Sequence, residues 1–560
     1  MFKKSNKEPQ LDVFASVPTM LESSAFKQYS DQSHWHNQFR EQVLMRIDES
    51  IFSILFNNTI GAPNAPVRTL VGMMILKESF VWSDSQLFEN CRFNLLVRSC
   101  LGLFNMNDSL PVESTYYLLR KRMYDHQKQN GEDLMGKAFA HITGGQIRDF
   151  EVNGHSIRMD SKLIGSNIAL FSRYEIIHHS LCMFFKSLDK SAKSRVLATD
   201  LEELEKLSKE ESQKTVYHST REELKGRLQP IGILIYKMLK LFGHLHTENF
   251  NLLQRVFNEQ YKVSEDQIVL RPKEEISSLS VQSPHDPDSA YRNKGEQKVK
   301  GYTANITETC SDDSLNLITS VIIDKANAAD SDFVELAIAQ TTEVTNQKVH
   351  KAYVDGAFQS PANNGVCNNI DMVYTGIQGA ESRYDLEMVG HELIVTDTQT
   401  GESIKAVPVN RRKSGSEPRW RIISNQEYRY FGQTAIRAAA LRREMKSRTV
   451  EELHKRNNVE ATIFQLGIPL KNGKSKYRGL IKQKMWTICR CLWINLVRII
   501  NFTKQRCQRT FIAVEKSAQL TISGLLLTFR QPIQQEMKIV SKNLSSISFF
   551  SILSKYYRFN

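Results

Sequence analysis

The sequence contains no long apolar run and no paired-cysteine motif. No stretch reaches the roughly eighteen consecutive apolar residues that span a bilayer, so we expect no transmembrane helix and no membrane partner. The charged N-terminal stretch MFKKSNKEPQLDVF lacks the apolar core of a secretory signal peptide. None of the 8 cysteines belongs to a CxxC pair, and their spacing fits neither a zinc site nor a disulfide framework. We therefore expect reduced thiols and a cytoplasmic location.

Basic residues outnumber acidic ones, and one long segment has no acid at all. The chain has 74 Lys and Arg against 61 Asp and Glu, a formal net charge of +13 that favours nucleic acid as partner. No acid occurs from Ala461 to Val514. Tyr477, Trp486 and Trp493 lie among its cations and either stack on bases or pack inward. The cations expected to contact DNA are Lys471, Lys474, Lys476, Arg478, Lys482, Lys484, Arg490, Arg498, Lys504, Arg506 and Arg509, with Arg411, Arg412 and Lys413 as a second patch.

The 560-residue chain is long for a single core, and its apolar pattern changes along its length. Apolar residues at helical spacing predict helices near the N-terminus, whereas β-branched runs separated by a helix predict a mixed sheet farther on. The predicted fold class is therefore an α/β core, preceded by an all-α domain and carrying a helical and a β-rich insertion. The predicted segments are a helical N-terminal domain (36–125), three parts of the core (150–185, 281–364 and 426–500, the last with a basic block), a helical insertion (186–280), a β-rich insertion (365–425) and an unassigned tail (501–560).

Three acids stand in contexts that suit a metal site. The apolar run before Asp160 predicts a strand that ends on this carboxylate, and a second predicted strand, in AYVDGAF, ends on Asp355. Glu460 lies on a predicted basic helix. Carboxylate oxygens hold Mg²⁺ or Mn²⁺, and a pair of such ions activates a water or a 3′-hydroxyl for phosphoryl transfer. The alternatives are strand-end turns for the two aspartates and a solvated helix position for the glutamate.

Arg456 lies four residues before Glu460, so both side chains are expected on one helix face. Arg456 would then pair with the glutamate or meet a phosphate. The alternative is an ordinary surface ion pair, which contributes less than about 1 kcal/mol.

Five ordered stretches resemble DDE transposases of bacterial insertion sequences. They are APNAPVRTLVGMMILKESFVWSDSQLFENCRF with its helical continuation, RMDSKLIGSNI, DPDSAYRNKGEQKVKGYTANITET, AYVDGAF, and KRNNVEATIFQLGIPLKNGKSKYRGL with the basic block after it. The resemblance runs from about residue 36 to residue 500 and implies a ribonuclease-H-like core. It also implies that Asp160, Asp355 and Glu460 bind two Mg²⁺ or Mn²⁺ ions, with Arg456 as a further active-site residue.

The sequence departs from some relatives around the third acid. These relatives carry a Tyr, Arg, Glu, Lys signature, of which Arg456 and Glu460 are present here. Leu453 stands at the expected Tyr position and Gly467 at the expected Lys position, with Lys471 as a candidate replacement. The helical insertion is also large, and the sequence gives no role for it.

The function implied by the resemblance is transposition. The protein would bind the terminal inverted repeats of its element as double-stranded DNA, cleave the strand at each end and join the ends to target DNA. A homodimer on DNA is expected because two ends must be held together, in a bacterial cytoplasm and associated with the nucleoid. The alternatives are an inactive or regulatory DNA-binding protein derived from a transposase, and a ribonuclease-H-like nuclease that cuts without joining.

Overall fold

Helices occupy residues 17–149 of the structure, a computed structural model. The described residues are 1–5, 11–12, 14–57, 60–169, 171–264, 267–295, 297–312, 314–365, 367–377, 382–409, 418–424 and 427–528. Arg411, Arg412 and Lys413 lie outside them. The N-terminal helices are α1 (Val17–Met20), α2 (Ser23–Ser30), α3 (Trp35–Gln42), α4 (Val67–Ser79), α5 (Asp84–Phe93), α6 (Leu95–Cys100), α7 (Glu113–Asn130) and α8 (Leu134–Asp149), with short 3-10 helices at Leu44–Arg46 and Glu49–Leu55.

Helix α4 lies at the centre of these helices, and all of its residues are buried. Its charged residues therefore need partners. Arg68 forms an ion pair with Glu49 at 3.6 Å, and Lys77 pairs with Asp84. Asp84 begins α5, whose first turn is closed by a capping box in which Ser83 is the N-cap residue.

A helical segment with its own apolar core follows the first core strand, β1 (Ser156–Gly165). It begins at residue 173, earlier than the predicted 186, because Ser172 and Glu175 form a capping box. Phe184, Phe242 and Phe250 pack together in its core. Its elements are α9 (Arg173–Ser187), α10 (Lys190–Lys193), α11 (Ala198–Lys209), α12 (Ser212–His218), α13 (Arg221–Leu241), α14 (Glu248–Gln260) and a hairpin of β2 (Tyr261–Ser264) and β3 (Gln267–Leu270).

The chain is a mixed α/β protein whose central sheet is assembled from distant segments. Strand β5 runs antiparallel to both β1 and β6, whereas β1, β7 and β8 are parallel, which gives the order β6-β5-β1-β7-β8. Strand β4 also pairs with β5. Strand β8 comes from the predicted β-rich insertion but joins this sheet by pairing with β7. The ranges are β4 (Ala290–Lys294), β5 (Gln297–Thr309), β6 (Ile318–Lys325), α15 (Val334–Thr345), β7 (Lys351–Val354) and β8 (Asp371–Tyr374).

A second sheet and four helices complete the described chain. Five antiparallel strands form a meander in sequence order, and α16 packs on its apolar face through Ala439 and Ile436. The stretch 426–460, predicted to be helical, instead begins with the last strand of this meander and then breaks into separate helices. The elements are β9 (Tyr384–Val389), β10 (Glu392–Asp397), β11 (Ser403–Val409), β12 (Arg419–Ser424), β13 (Glu427–Gly432), α16 (Gln433–Ser447), α17 (Val450–His454), α18 (Asn457–Gly467) and α19 (Leu480–Thr528).

The chain divides into two compact units, residues 1–499 and residues 500–560. Within the second unit the structure describes residues 500–528, which are helical. Among the helices of the described ranges, none combines the length and the apolar character that crossing a membrane requires.

The two faces of β1 have different roles. Ile157 and Met159 point toward α15 and belong to the apolar core of the sheet. Alternate residues point to opposite faces of a strand, so Arg158, Asp160 and Lys162 share the other face. Helix α18 packs on that face.

A buried carboxylate holds α18 and α19 on this face. Glu308 of β5 is fully buried and accepts hydrogen bonds from Arg158 Nε at 2.5 Å, from Thr462 Oγ1 of α18 at 2.6 Å and from Arg498 Nη2 of α19 at 2.7 Å. Arg158 also donates to the carbonyl of Lys455 at 3.2 Å, just before α18. One acid and two arginines therefore join two strands and two helices.

We predict that Glu308→Ala lowers the free energy of unfolding by about 3–5 kcal/mol, because it leaves two arginines without their buried partner. The measurement is the urea midpoint followed by circular dichroism. The control is Glu335→Ala, an exposed position on α15, where the change should stay within about 0.5 kcal/mol. Equal midpoints for the two variants would contradict the structural role of Glu308.

Candidate active site

Asp160 lies on β1, and Asp355 directly follows the neighbouring parallel strand β7. Strands β1 and β7 pair up to Arg158 opposite Tyr353, and each aspartate comes two residues after its end of that pair. Parallel strands in register place such residues side by side on the same face of the sheet. The prediction that the strand ends at Asp160 is wrong, since β1 continues to Gly165. It continues because antiparallel pairing with β5 extends along all of β1, whereas the pairing with β7 stops.

The Asp160 carboxylate is half-buried and bonded on both oxygens. Oδ1 accepts from the Ser161 backbone N–H at 2.8 Å, and Oδ2 accepts from Arg456 Nη2 at 3.0 Å. Burial raises the pKa of Asp160 above its ordinary value, the charge of Asp355 raises it further, and Arg456 opposes both. A cation beside these two acids is therefore favourable.

Asp355 follows β7 directly and closes a tight turn. Its Oδ1 accepts from the Gly356 N–H at 2.7 Å, and residues 356–358 form a 3-10 helix. A side chain at Gly356 would collide with the Gly376 backbone, so the turn requires glycine there. The turn alternative for Asp355 is thus realised, and it holds the carboxylate beside Asp160.

Arg456 links Asp160 to Glu460. The Arg456 guanidinium donates to Asp160 through Nη2 and to Glu460 Oε1 through Nη1 at 3.1 Å. Its side chain is 12% exposed, whereas that of Glu460 is 58% exposed. The pair is therefore more than a solvated helix contact, because the same arginine also crosses to the sheet.

The three acids do not converge on one point in this structure. Among the residues that the structure describes, no group of three or more Asp, Glu, His or Cys side chains is arranged to hold a metal ion. Asp160 and Asp355 are neighbours, while Glu460 is reached from Asp160 through Arg456. The hard oxygen donors suit Mg²⁺ or Mn²⁺, but the cation that the structure contains at Asp160 is the guanidinium.

Lys162 extends the same face of β1 toward the end of α18. A Cβ built on Gly467 would lie 2.7 Å from Lys162 Cε and 2.8 Å from Nζ. The Lys162 ammonium thus lies against the helix at the position where relatives were expected to carry lysine. Burial lowers the pKa of Lys162, and the nearby Asp160 opposes this shift. Sequence reasoning missed Lys162, because only the fold brings it to Gly467.

The predicted DNA-contacting cations from Lys471 to Lys484 lie in the connection from α18 to α19 and in the first turns of α19. Lys471, Lys474, Lys476, Arg478 and Lys482 are exposed, and Lys484 is half-buried. Several have protein partners as well. Lys474 Nζ donates to the Ile168 carbonyl, and Arg478 Nε donates to the Asn167 carbonyl. Lys476 forms an ion pair with Glu78, Lys484 forms one with Asp133, and Lys482 lies over the Tyr124 ring.

The tryptophans of this segment pack inward. Trp486 is 4% exposed, and Trp493 contacts the rings of Trp35 and Phe80. Trp486 is therefore unavailable for stacking on bases, and Trp493 is half-buried in an aromatic cluster. Tyr477 donates its hydroxyl to Glu78, which ties the segment to α4.

Glu308 and Arg158 support the site but were not predicted, and Arg498, expected to contact DNA, pairs with Glu308. Arg490, also expected to contact DNA, is buried and donates to the Glu78 and Ser79 carbonyls. The sequence offers one signal for a buried Glu308: in TANITET it shares the strand face of Ala304 and Ile306. The signal is ambiguous, because the same alternation also fits a strand with one face in solvent. The partners of Glu308 lie 150 and 190 residues away in sequence, which no local pattern reveals.

Comparison with known proteins relates the N-terminal helices to transposases. Residues 27–122 match a protein-family model described as a transposase domain (DUF772), which reaches from within α2 to within α7. The curated proteins and the solved structures contain no match to the chain. The match supports a transposase-related function, and it does not extend to β1, β7 or α18.

The raised pKa of Asp160 predicts a pH-dependent effect of Asp160→Asn in metal-free buffer. Because the folded-state pKa lies above the unfolded value, the wild type loses stability as pH rises through it, and the Asn variant does not. The variant should therefore gain stability relative to the wild type between about pH 3.5 and pH 7. Urea midpoints across this range measure the difference.

Asp371→Asn is the control of opposite sign. Burial raises the pKa of Asp371, but hydrogen bonds from Arg448 and Lys351 outweigh it and leave this pKa below its ordinary value. Asp371 thus stabilises the folded state at pH values above its unfolded pKa, and this stabilisation is lost as pH falls. The stability of Asp371→Asn relative to the wild type should therefore decrease as pH rises. Parallel curves for both variants would contradict the environment described for Asp160.

Proposed function

We propose that the protein is a DDE-type DNA transposase of a bacterial insertion sequence. It would bind the terminal inverted repeats of its element and catalyse divalent-metal-dependent strand cleavage and strand transfer. One observation carries the proposal: Asp355, directly after β7, lies beside Asp160 of the neighbouring parallel strand β1, and Arg456 joins Asp160 to Glu460. The transposase-domain match in the N-terminal helices supports the same function.

The strand order supports a ribonuclease-H-like core. In β6-β5-β1-β7-β8 only β5 runs against the others; Asp160 lies on β1, and Asp355 lies at the carboxyl end of the parallel neighbour β7. Active sites of open α/β sheets commonly lie at the carboxyl ends of parallel strands, where Asp355 is found. A shared fold does not by itself establish a function, so the proposed reaction depends on the three acids.

Asp160 and Asp355 would hold the divalent ions, with Glu460 as the third carboxylate. Bound Mg²⁺ or Mn²⁺ would activate a water or a 3′-hydroxyl and stabilise the leaving oxygen. The Ser161 N–H fixes one Asp160 oxygen, and the Gly356 N–H fixes one Asp355 oxygen. Arg456 neutralises Asp160 and keeps Glu460 on the same side of α18 as the sheet.

The exposed cations after α18 would bind the DNA backbone. Lys471, Lys474 and Lys476 lie in the connection that follows the Glu460 helix, and Lys474 forms a β-bridge with Gly165 at the end of β1, the strand that carries Asp160. DNA bound to these cations would therefore contact the end of that strand. Phosphate contacts of this kind give affinity and orientation without reading sequence. A homodimer would hold two element ends in one complex.

A second candidate is an inactive DNA-binding protein derived from a transposase. The observation in its favour is that the described acids do not form a three-ligand metal group and that Arg456 stands between two of them. In this case the ion pairs of Arg456 are structural, and the protein would hold element ends without cutting them.

The test is cleavage of DNA carrying the element's own ends, with Mg²⁺ or Mn²⁺. We expect the wild type to cut, and Asp160→Asn and Asp355→Asn to fall to the level of the metal-free reaction while still binding the ends. Asp324→Asn, at an exposed acid on β6, is the matched control and should cut like the wild type.

Two results would count against this proposal. Equal cleavage by the wild type and Asp160→Asn would remove Asp160 from the mechanism. Tight end binding without cleavage by the wild type would favour the second candidate. A strand-transfer assay with pre-cut ends separates a transposase from a nuclease that cuts without joining.

A further inference from the structure

Lys162 presents an ammonium beside the candidate acids. It lies two residues beyond Asp160 on β1, so both side chains share one face of the strand. Its aliphatic stem is half-buried, and its tip reaches Gly467 at the end of α18. Within the described ranges, Lys162 Nζ makes no hydrogen bond and no ion pair.

Gly467 provides the space for this ammonium. A Cβ at this position would lie within 2.8 Å of Lys162 Nζ, closer than real Cβ atoms approach other atoms. Gly467 comes seven residues after Glu460, nearly two helical turns, so both positions share one face of α18. The helix rise of 1.5 Å per residue separates them by about 10 Å.

Arg456, Glu460 and Lys162 Nζ therefore lie in a row along one face of α18. The guanidinium of Arg456 is occupied by two carboxylates. The Lys162 ammonium is near the Asp160 charge but is bonded to no acid in the part of the chain that the structure describes, so it is available for an anion. A half-buried ammonium on a face that receives DNA would meet a phosphate oxygen.

We propose that Lys162 is a DNA-phosphate-binding residue of this site, holding the strand at the Gly467 end of α18 while the acids face the reacting phosphate. This inference rests on the proposed function for its ligand, the backbone of double-stranded DNA. Lys471, the replacement considered from sequence, lies four residues beyond Gly467, in the connection to α19. Lys162 is placed between the acids and that connection.

The test moves the cation from the strand to the helix. Lys162→Ala removes the ammonium, and the double variant Lys162→Ala/Gly467→Lys returns one to the same region from α18. Gly467 is not in the left-handed region, so lysine is conformationally tolerated. Lys348→Ala is the matched control, because Lys348 is exposed and precedes β7, at the strand end opposite Asp355.

The first measurement is the salt dependence of affinity for a duplex carrying the terminal repeat, without divalent metal. Loss of one phosphate contact should lower the slope of log affinity against log salt by about 0.9 for Lys162→Ala. The double variant should regain the slope, and Lys348→Ala should keep it. An unchanged slope for Lys162→Ala, or no recovery in the double variant, would overturn the inference.

The second measurement is cleavage of the same duplex with Mn²⁺. If Lys162→Ala lowers the salt-dependence slope and the double variant restores it, but the wild type does not cleave, Lys162 is a phosphate contact and the proposed function is contradicted. Wild-type cleavage together with an unchanged slope for Lys162→Ala would keep the proposed function and remove Lys162 from it. Absence of DNA binding by the wild type would overturn both.

Discussion

The buried carboxylate of Glu308 fixes the relation between the central sheet and the two helices that follow the insertions. A fully buried acid is costly unless it is paired, and Glu308 meets Arg158, Arg498 and Thr462 together. These contacts join β5, β1, α18 and α19. Together with the Arg456 bridge, they fix the position of the glutamate of α18 relative to the carboxylates of the sheet.

The candidate site follows from this attachment. On one face of β1, Arg158 reaches the carbonyl of Lys455, Asp160 reaches Arg456, and Lys162 reaches Gly467. Alternate side chains of the strand thus meet the helical segment at three positions. The first contact is structural, the second holds an acid beside an arginine, and the third leaves an ammonium with no hydrogen bond or ion pair to any residue that the structure describes.

Local sequence predicted the secondary structure around Asp355 and Glu460 better than the tertiary contacts around the acids. The turn at Asp355 and Gly356 and the helix that carries Glu460 follow from nearby residues, and the structure contains both. The extension of β1 past Asp160 depends on pairing with β5, which is more than a hundred residues away. The meeting of Lys162 with Gly467 and the partners of Glu308 likewise depend on tertiary packing, for which neither periodicity nor residue spacing gives a signal.

If Asp160 and Asp355 form a divalent-cation site, as proposed, crystals soaked in Mn²⁺ should reveal it. We expect an anomalous scattering peak within ligand distance of both carboxylates, about 2.0–2.6 Å for hard cations on oxygen. The same soak of Asp160→Asn crystals should lose that peak. Mn²⁺ bound elsewhere, with Asp160 still paired to Arg456 and Ser161, would show that the two aspartates are not a metal site.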